Sequence, residues 1–293
     1  MMKSKLSLKK LAKLVLFNFF LITTILGCSP IRPTYDEKEL PLAIVKTFKK
    51  EFNLDIKSVI VGKTLWVYLP LDNLFIKSDK KNLIKYDVSS DTTTRYIDNT
   101  FKSKFSISEL DRPKELPQEI EFDKDAIKKI RNILTVVALK YLSSSSNNID
   151  FIRLVYADVK TGIEMIETDY ALDLKKVYHG VIPQDEYNRR IVQDFNQNFD
   201  IIDDYQGRHL EYQSLEMPEF ISKQITQRIR SYFSKYAPGQ KQKNIIKEIE
   251  KIILDTTRIY NFTDYSYVEL NDLLTGNVIT LSPKSLEEDI LLR

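Results

Sequence analysis

The feature that most constrains this chain is a recurring order: one amphipathic helix, then two short strands across a tight turn. Residues 123–142 put Ile127, Ile130, Ile133, Leu134, Val137, Ala138 and Tyr141 on one side of a helix. That spacing matches the 3.6-residue period. After the Ser- and Asn-rich stretch 143–148, the runs 151–159 and 163–168 read as a hairpin around Lys160-Thr161-Gly162. Gly162 would supply the positive φ of such a turn. Later, 218–236 and 242–259 read as amphipathic helices broken by Ala237-Pro238-Gly239, and 265–273 with 277–281 as a second hairpin. The same order opens the body of the chain. A helix is predicted from Pro41, with Ile44, Val45, Phe48 and Phe52 inward, since proline suits a first helical turn. Strands 56–61 and 64–69 follow around Gly62-Lys63. Helices laid on antiparallel hairpins predict an α+β fold with αββ as its candidate repeat. A doubly wound parallel sheet would instead need single strands alternating with helices.

The two later hairpins align without a gap. FIRLVYADVKTG from Phe151 sets Asp158, Thr161 and Gly162 against Asp272, Thr275 and Gly276 of YSYVELNDLLTG from Tyr265. Duplication explains this, and so does recurrence of good turn chemistry, because Asp, Thr and Gly each favour turns. The remaining segments are less regular. Residues 77–104 are polar and are predicted to be loop with one or two short elements. Residues 111–119, with two prolines, are the candidate boundary between an N-terminal αββ unit (39–110) and a C-terminal α+β domain (120–293). Within 171–214, residues 183–195 start like a helix and 208–213 read as a strand.

The N-terminus carries a different signal. Lys3, Lys5, Lys9, Lys10 and Lys13 precede a mostly apolar run from Leu14 to Leu26, which ends in Ile25-Leu26-Gly27-Cys28. The run suits the apolar core of a signal peptide and is too short for an ordinary spanning helix, which needs roughly 20 residues. The ending resembles the lipobox of bacterial lipoproteins. The resemblance covers residues 1–28 and implies cleavage between Gly27 and Cys28, with lipid on the Cys28 sulfur. It further implies attachment to the membrane at the periplasmic face of the cell envelope. Ser29, where an aspartate would favour inner-membrane retention, points to the outer membrane of a two-membrane organism. Residues 28–38, with two prolines, read as a tether.

Charge and cysteine content follow from that reading. Removing residues 1–27 takes away five lysines and no acid, leaving 39 basic and 41 acidic residues. No basic footprint for nucleic acid remains. Cys28 is the sole cysteine, so once it is lipidated the chain has no disulfide, thiolate nucleophile or cysteine metal site. Stability must come from an ordinary core, and 31 Phe plus Tyr residues can supply one.

Motifs that cradle phosphates or nucleotides, or that form a serine-hydrolase elbow, do not occur among the seven glycines. Gly62-Lys63-Thr64 lacks the upstream glycine of a phosphate loop and reads as a hairpin turn. His179 and His209 have acids nearby in sequence but no ligand spacing, so no cofactor and no metal are expected. The segment 169–195 is densest in the residue types that anchor interfaces. It makes Tyr170, Tyr178, His179, Tyr187, Arg189 and Arg190 the candidate partner-binding residues. The expected function is a lipid-anchored, non-enzymatic scaffold or interaction module binding another envelope protein. Two alternatives stand beside it. One is a carrier of a small ligand or peptide in a tyrosine-lined pocket. The other is an envelope hydrolase using a carboxylate or histidine site.

Overall fold

The computed structural model describes residues 38–72, 74–77, 88–109, 120–123, 128, 130, 132, 148–234 and 244–291. The signal segment, Cys28, the tether up to residue 37 and the 111–119 boundary lie outside the described residues. So does most of the 123–142 helix, of which residues 128, 130 and 132 are described as helical and Ile130 is buried.

The fold is α+β. Helix α1 (Leu40–Phe52) buries Leu40, Ile44 and Phe48, one face at a four-residue spacing. It ends at Asn53 in the left-handed region, whose N–H and that of Leu54 bond back to Lys49 and Phe48 carbonyls. This double closure satisfies carbonyls that a helix end leaves open. The hairpin β1 (Lys57–Val61) and β2 (Thr64–Leu71) follows, and then β3 (Phe75–Lys77). Next come β4 (Val88–Ile97), β5 (Thr100–Glu109) and β6 (Ile120–Phe122), which pairs with β3. The second half begins with the hairpin β7 (Phe151–Asp158) and β8 (Ile163–Tyr170). It continues through helices α2 (Ala171–Tyr178) and α3 (Gln184–Asn188), strand β9 (Val192–Gln197) and a 3-10 turn at Phe199–Ile201. Helices α4 (Met217–Phe233) and α5 (Ile245–Ile259), strands β10 (Tyr267–Asp272) and β11 (Val278–Leu281), and helix α6 (Pro283–Leu291) complete the chain.

Two mixed sheets result, with orders β1-β2-β7-β8-β9 and β11-β10-β5-β4. Both are wired alike. Each joins two antiparallel hairpins through a parallel inner pair, β2 with β7 and β5 with β10. Each therefore takes strands from both sides of residues 111–119. The Asp-x-x-Thr-Gly turns occupy matching places, closing the second hairpin of each sheet. In both, the Gly N–H bonds to the Asp carbonyl; the Asp158 carboxylate accepts the Lys160 and Thr161 N–H groups, and the Asp272 carboxylate accepts the Leu274 N–H. Gly162 and Gly276 sit at φ +72° and +73°, where a side chain would be strained.

Helix α4 serves both sheets. Its stripe Ile221, Ile225, Ile229 and Phe233 enters the second sheet's core with Phe101, Phe105, Val268 and Leu270. Phe220, one position round, packs on Phe151 and Val192 of the first sheet.

Three expectations are corrected. Residues 88–109, within and beyond the predicted polar loop, form the hairpin β4–β5, closed by Asp98 and Asn99 at φ +50° and +54°. Positive φ at both central residues suits a two-residue turn between twisted strands, and the threonines and serines occupy a half-exposed sheet. Residues 208–213 are not a strand. They lie over one face of the first sheet, where the Trp66 Nε1–H donates to the Gln213 carbonyl. The helical start at Pro183 ends at Asn188, and Val192 to Gln197 join the first sheet as its edge strand β9.

Candidate functional site

Strand β8 sorts its acids by the two-residue period of a strand. Glu167 and Asp169 stand opposite Leu154 and Ile152, on the face that α1 and α2 cover. Glu164 stands opposite Ala157, on the face covered by residues 199–215. All three are at most 6% exposed.

On the helix-covered face, the Tyr187 hydroxyl donates to Asp169 Oδ1 at 2.6 Å. Tyr156 and the Gln193 carboxamide donate to the two oxygens of Glu167. One turn into α2, Asp173 accepts Arg190 Nη1–H at 2.9 Å, and the same guanidinium bonds Glu186. Burial, reinforced by the Glu167 charge and opposed by the Tyr187 hydrogen bond, pushes the Asp169 carboxyl up to about 7. Burial beside that same carboxyl raises the Tyr187 hydroxyl. Asp169, Asp173 and Tyr187 are buried, and Asp173 Oδ2 and the Tyr260 hydroxyl have no hydrogen-bond partner among the described residues.

On the opposite face His209 bridges two carboxylates. Its Nδ1 lies 2.6 Å from Asp204 Oδ2 and its Nε2 3.0 Å from Glu164 Oε2. Asn196 donates to the second Glu164 oxygen. A neutral imidazole carries one N–H. With both carboxylates ionised the ring must therefore be the imidazolium; otherwise one carboxyl holds the proton. Burial works to raise Asp204, but hydrogen bonds from the His209 ring and backbone outweigh it and hold this carboxyl low. Tyr68 closes over the ring edge and donates to the Asp204 carbonyl. The triad fastens the 203–210 segment to the sheet, and both ring nitrogens are occupied. Among the described residues no group of three His, Cys, Asp or Glu side chains is arranged to hold a metal ion.

The accessible site lies elsewhere. Strand β9 is one edge of the first sheet, opposite β1, and β4 is one edge of the second, opposite β11. A cleft of about 830 Å³ runs between them over α4, lined by Thr93 to Ile97, Val192 to Asp194, and Lys223, Thr226, Gln227 and Arg230 among others. Side chains of α4 cap both edges. Thr226 accepts the Thr94 N–H and Arg230 donates to the Thr92 carbonyl. Gln227 accepts the Gln193 N–H while donating to the Ile191 carbonyl, and Gln224 donates to the Arg190 carbonyl. Lys223 pairs with Asp194 at 2.8 Å across the floor.

The six sequence-predicted residues do not converge. Tyr187 and Arg190 enter the acid cluster of Asp169 and Asp173. Tyr170 packs among Phe151, Phe220 and Tyr260 on the other face. Tyr178, His179 and Arg189 are at the surface, Tyr178 against the His179 ring and Arg189 beside Glu186. Sequence reasoning missed Glu164, whose partners Asn196 and His209 are 32 and 45 residues away, and the whole cleft. The i, i+4 polar stripe of α4, Lys223 and Gln227, was the available signal. No helix among the described residues is long and apolar enough to cross a membrane. Neither family models, nor curated proteins, nor solved structures match this chain.

Proposed function

We propose that this protein is a membrane-anchored cell-envelope lipoprotein, held by lipid on Cys28, whose body is a non-enzymatic protein-interaction module. The cleft between β4 and β9 receives an extended segment of another envelope protein. One observation carries the reading: two free sheet edges face each other across a polar helix. An extended peptide can add main-chain hydrogen bonds to an exposed sheet edge, with side-chain pockets setting specificity. The α4 side chains satisfy part of each edge and leave the space between them open. A small-ligand carrier is less favoured, because the cleft has Tyr96 as its one aromatic lining residue. A hydrolase is less favoured because His209 is sealed between Asp204 and Glu164 at 6% side-chain exposure.

A photo-crosslinking side chain in place of Ile97, which is 43% exposed at the cleft, tests the docking reading in cells. It should join a discrete envelope protein, and Thr93→Trp, filling the cleft from an exposed position, should abolish that product. A crosslink unchanged by Thr93→Trp sinks the assignment. The anchor is tested separately. Cys28→Ser should leave an uncleaved, unlipidated precursor, whereas an unmodified Cys28 thiol in the wild-type protein would remove the anchor.

A further inference from the structure

Helices α1 and α2 lie on the same face of the first sheet, sharing a core that includes Leu40, Ile44, Phe48 and Ala171. Their outward sides carry apolar groups that this core does not use. Leu42 is 57% exposed, Leu172 and Tyr178 are 46% and 53% exposed, and Val181, just past the end of α2, is 68% exposed. Single exposed apolar residues are ordinary on protein surfaces, so exposure alone assigns nothing.

Charge and chain length add two independent arguments. Leu42, Lys46, Lys49 and Lys50 follow the spacing of one helical stripe, and all four are exposed. Lys46 and Lys50 have no ion-pair partner among the described residues, and Lys49 makes an exposed pair with Asp55. Residues 38–53 hold four lysines against Glu39 and Glu51, while the chain from Cys28 onward has more acids than bases. This basic, apolar-tipped stripe therefore stands out against an acidic body. It is also the first element after the anchor. Leu40 follows Cys28 by 12 residues, a length that spans at most ~40 Å when fully extended. A lipid on Cys28 would keep α1 within that reach of the bilayer.

We infer that the outward face of α1 rests on the membrane, with Leu42 at the headgroup boundary and Lys46, Lys49 and Lys50 on anionic lipid headgroups. This rests on the anchor reading above and goes beyond it, because it gives the body an orientation. Basic residues beside an anionic leaflet are each attracted within a Debye length of it, and the effect on the membrane-apposed population is roughly fivefold per lysine.

The test uses the full-length lipidated protein in vesicles of phosphatidylcholine with about one third phosphatidylglycerol. Lipidation of Cys28 leaves an introduced cysteine as the single site for a fluorescent probe. A probe at Leu42→Cys should be shielded from an aqueous quencher and reached by a lipid-borne one. A probe at Leu274→Cys, exposed on the second sheet's hairpin, should behave oppositely. Charge reversal with Lys46→Glu, Lys49→Glu and Lys50→Glu together should remove the shielding. Lipidated Cys28 with equal aqueous quenching at positions 42 and 274 overturns this inference alone. An unmodified Cys28 overturns the anchor, and this inference with it.

Discussion

Strand β2 of the first sheet is buried on both faces, and its sequence from Thr64 to Leu71 is a nearly unbroken apolar run. Strand β5 of the second sheet occupies the matching inner position but buries one face. Phe101, Ser103, Phe105 and Ile107 point inward and alternate with more exposed Lys and Ser positions. The wiring is shared, yet among the described residues the first sheet has layers on both sides and the second has one. A doubly covered strand loses the polar side that water would otherwise solvate. Strand β8 of the first sheet buries Glu164, Glu167 and Asp169 inside hydrogen-bond networks, whereas the inward positions of the second sheet's strands are apolar or hydroxyl-bearing, Phe101, Phe105, Val268 and Leu270 with Thr92, Thr94 and Ser103. The shared core of two hairpins joined by a parallel pair thus supports two different kinds of interior.

The largest test of that contrast is His209→Leu, which leaves Glu164 and Asp204 buried without their shared partner. Removing one member of a buried charged network costs about 3–5 kcal/mol, read as a shift in denaturant midpoint. Thr94→Val in the second sheet, which loses a hydroxyl contact to Ser103, should cost about 1 kcal/mol. Equal losses would break the comparison.

Proton linkage sharpens it next. The Asp169 carboxyl, at about 7 in the folded state against an ordinary 3.8, binds its proton more tightly when folded. Its contribution is intact below the ordinary value and is lost as pH rises through about 7. Asp204 runs the other way: held low, it contributes above its ordinary value and loses that contribution as pH falls through its lower folded value. Asp169→Asn keeps an acceptor for Tyr187 without the charge. It should therefore raise stability at mildly alkaline pH by on the order of 2 kcal/mol. Thermal melts across the pH range that show no difference from wild type would refute the assignment of Asp169.

The twin turns provide a finer test. Alanine at Gly162 or Gly276 pays the left-handed strain, about 1 kcal/mol. A Cβ at Gly162 would also meet the Asn198 carbonyl at 2.9 Å and Ile202 at 3.2 Å, while one at Gly276 meets nothing within 4 Å. Gly162→Ala should therefore cost at least about twice as much as Gly276→Ala in equilibrium unfolding. The smallest effect belongs to Asp272→Ala, which removes the exposed acceptor for the Leu274 N–H and the Thr275 hydroxyl. It should cost below about 1 kcal/mol, detectable as a small drop in melting temperature.

Periodicity made α1, α4 and α5 legible, because burying one face of a helix forces a pattern on the residues themselves, and the Gly162 and Gly276 turns marked the β7–β8 and β10–β11 hairpins. The β4–β5 hairpin escaped because its inward positions include Thr92, Thr94 and Ser103, which look solvated until a partner covers them. The candidate interface residues of 169–195 were grouped by nearness in sequence. The strand alternation of β8 and the turn into α2 then sent Tyr170 to one face and Tyr187 with Arg190 to the other.

Local sequence thus determined α1, α4 and α5, three hairpins, the α+β class and the glycine turns, since those depend on spacing and backbone conformation within a few residues. Tertiary structure alone decided that each sheet is closed by a parallel inner pair, and that His209 meets Glu164. It also decided that two free edges flank α4. Each of these joins residues far apart in the chain, and no local pattern encodes which distant strand will cover which.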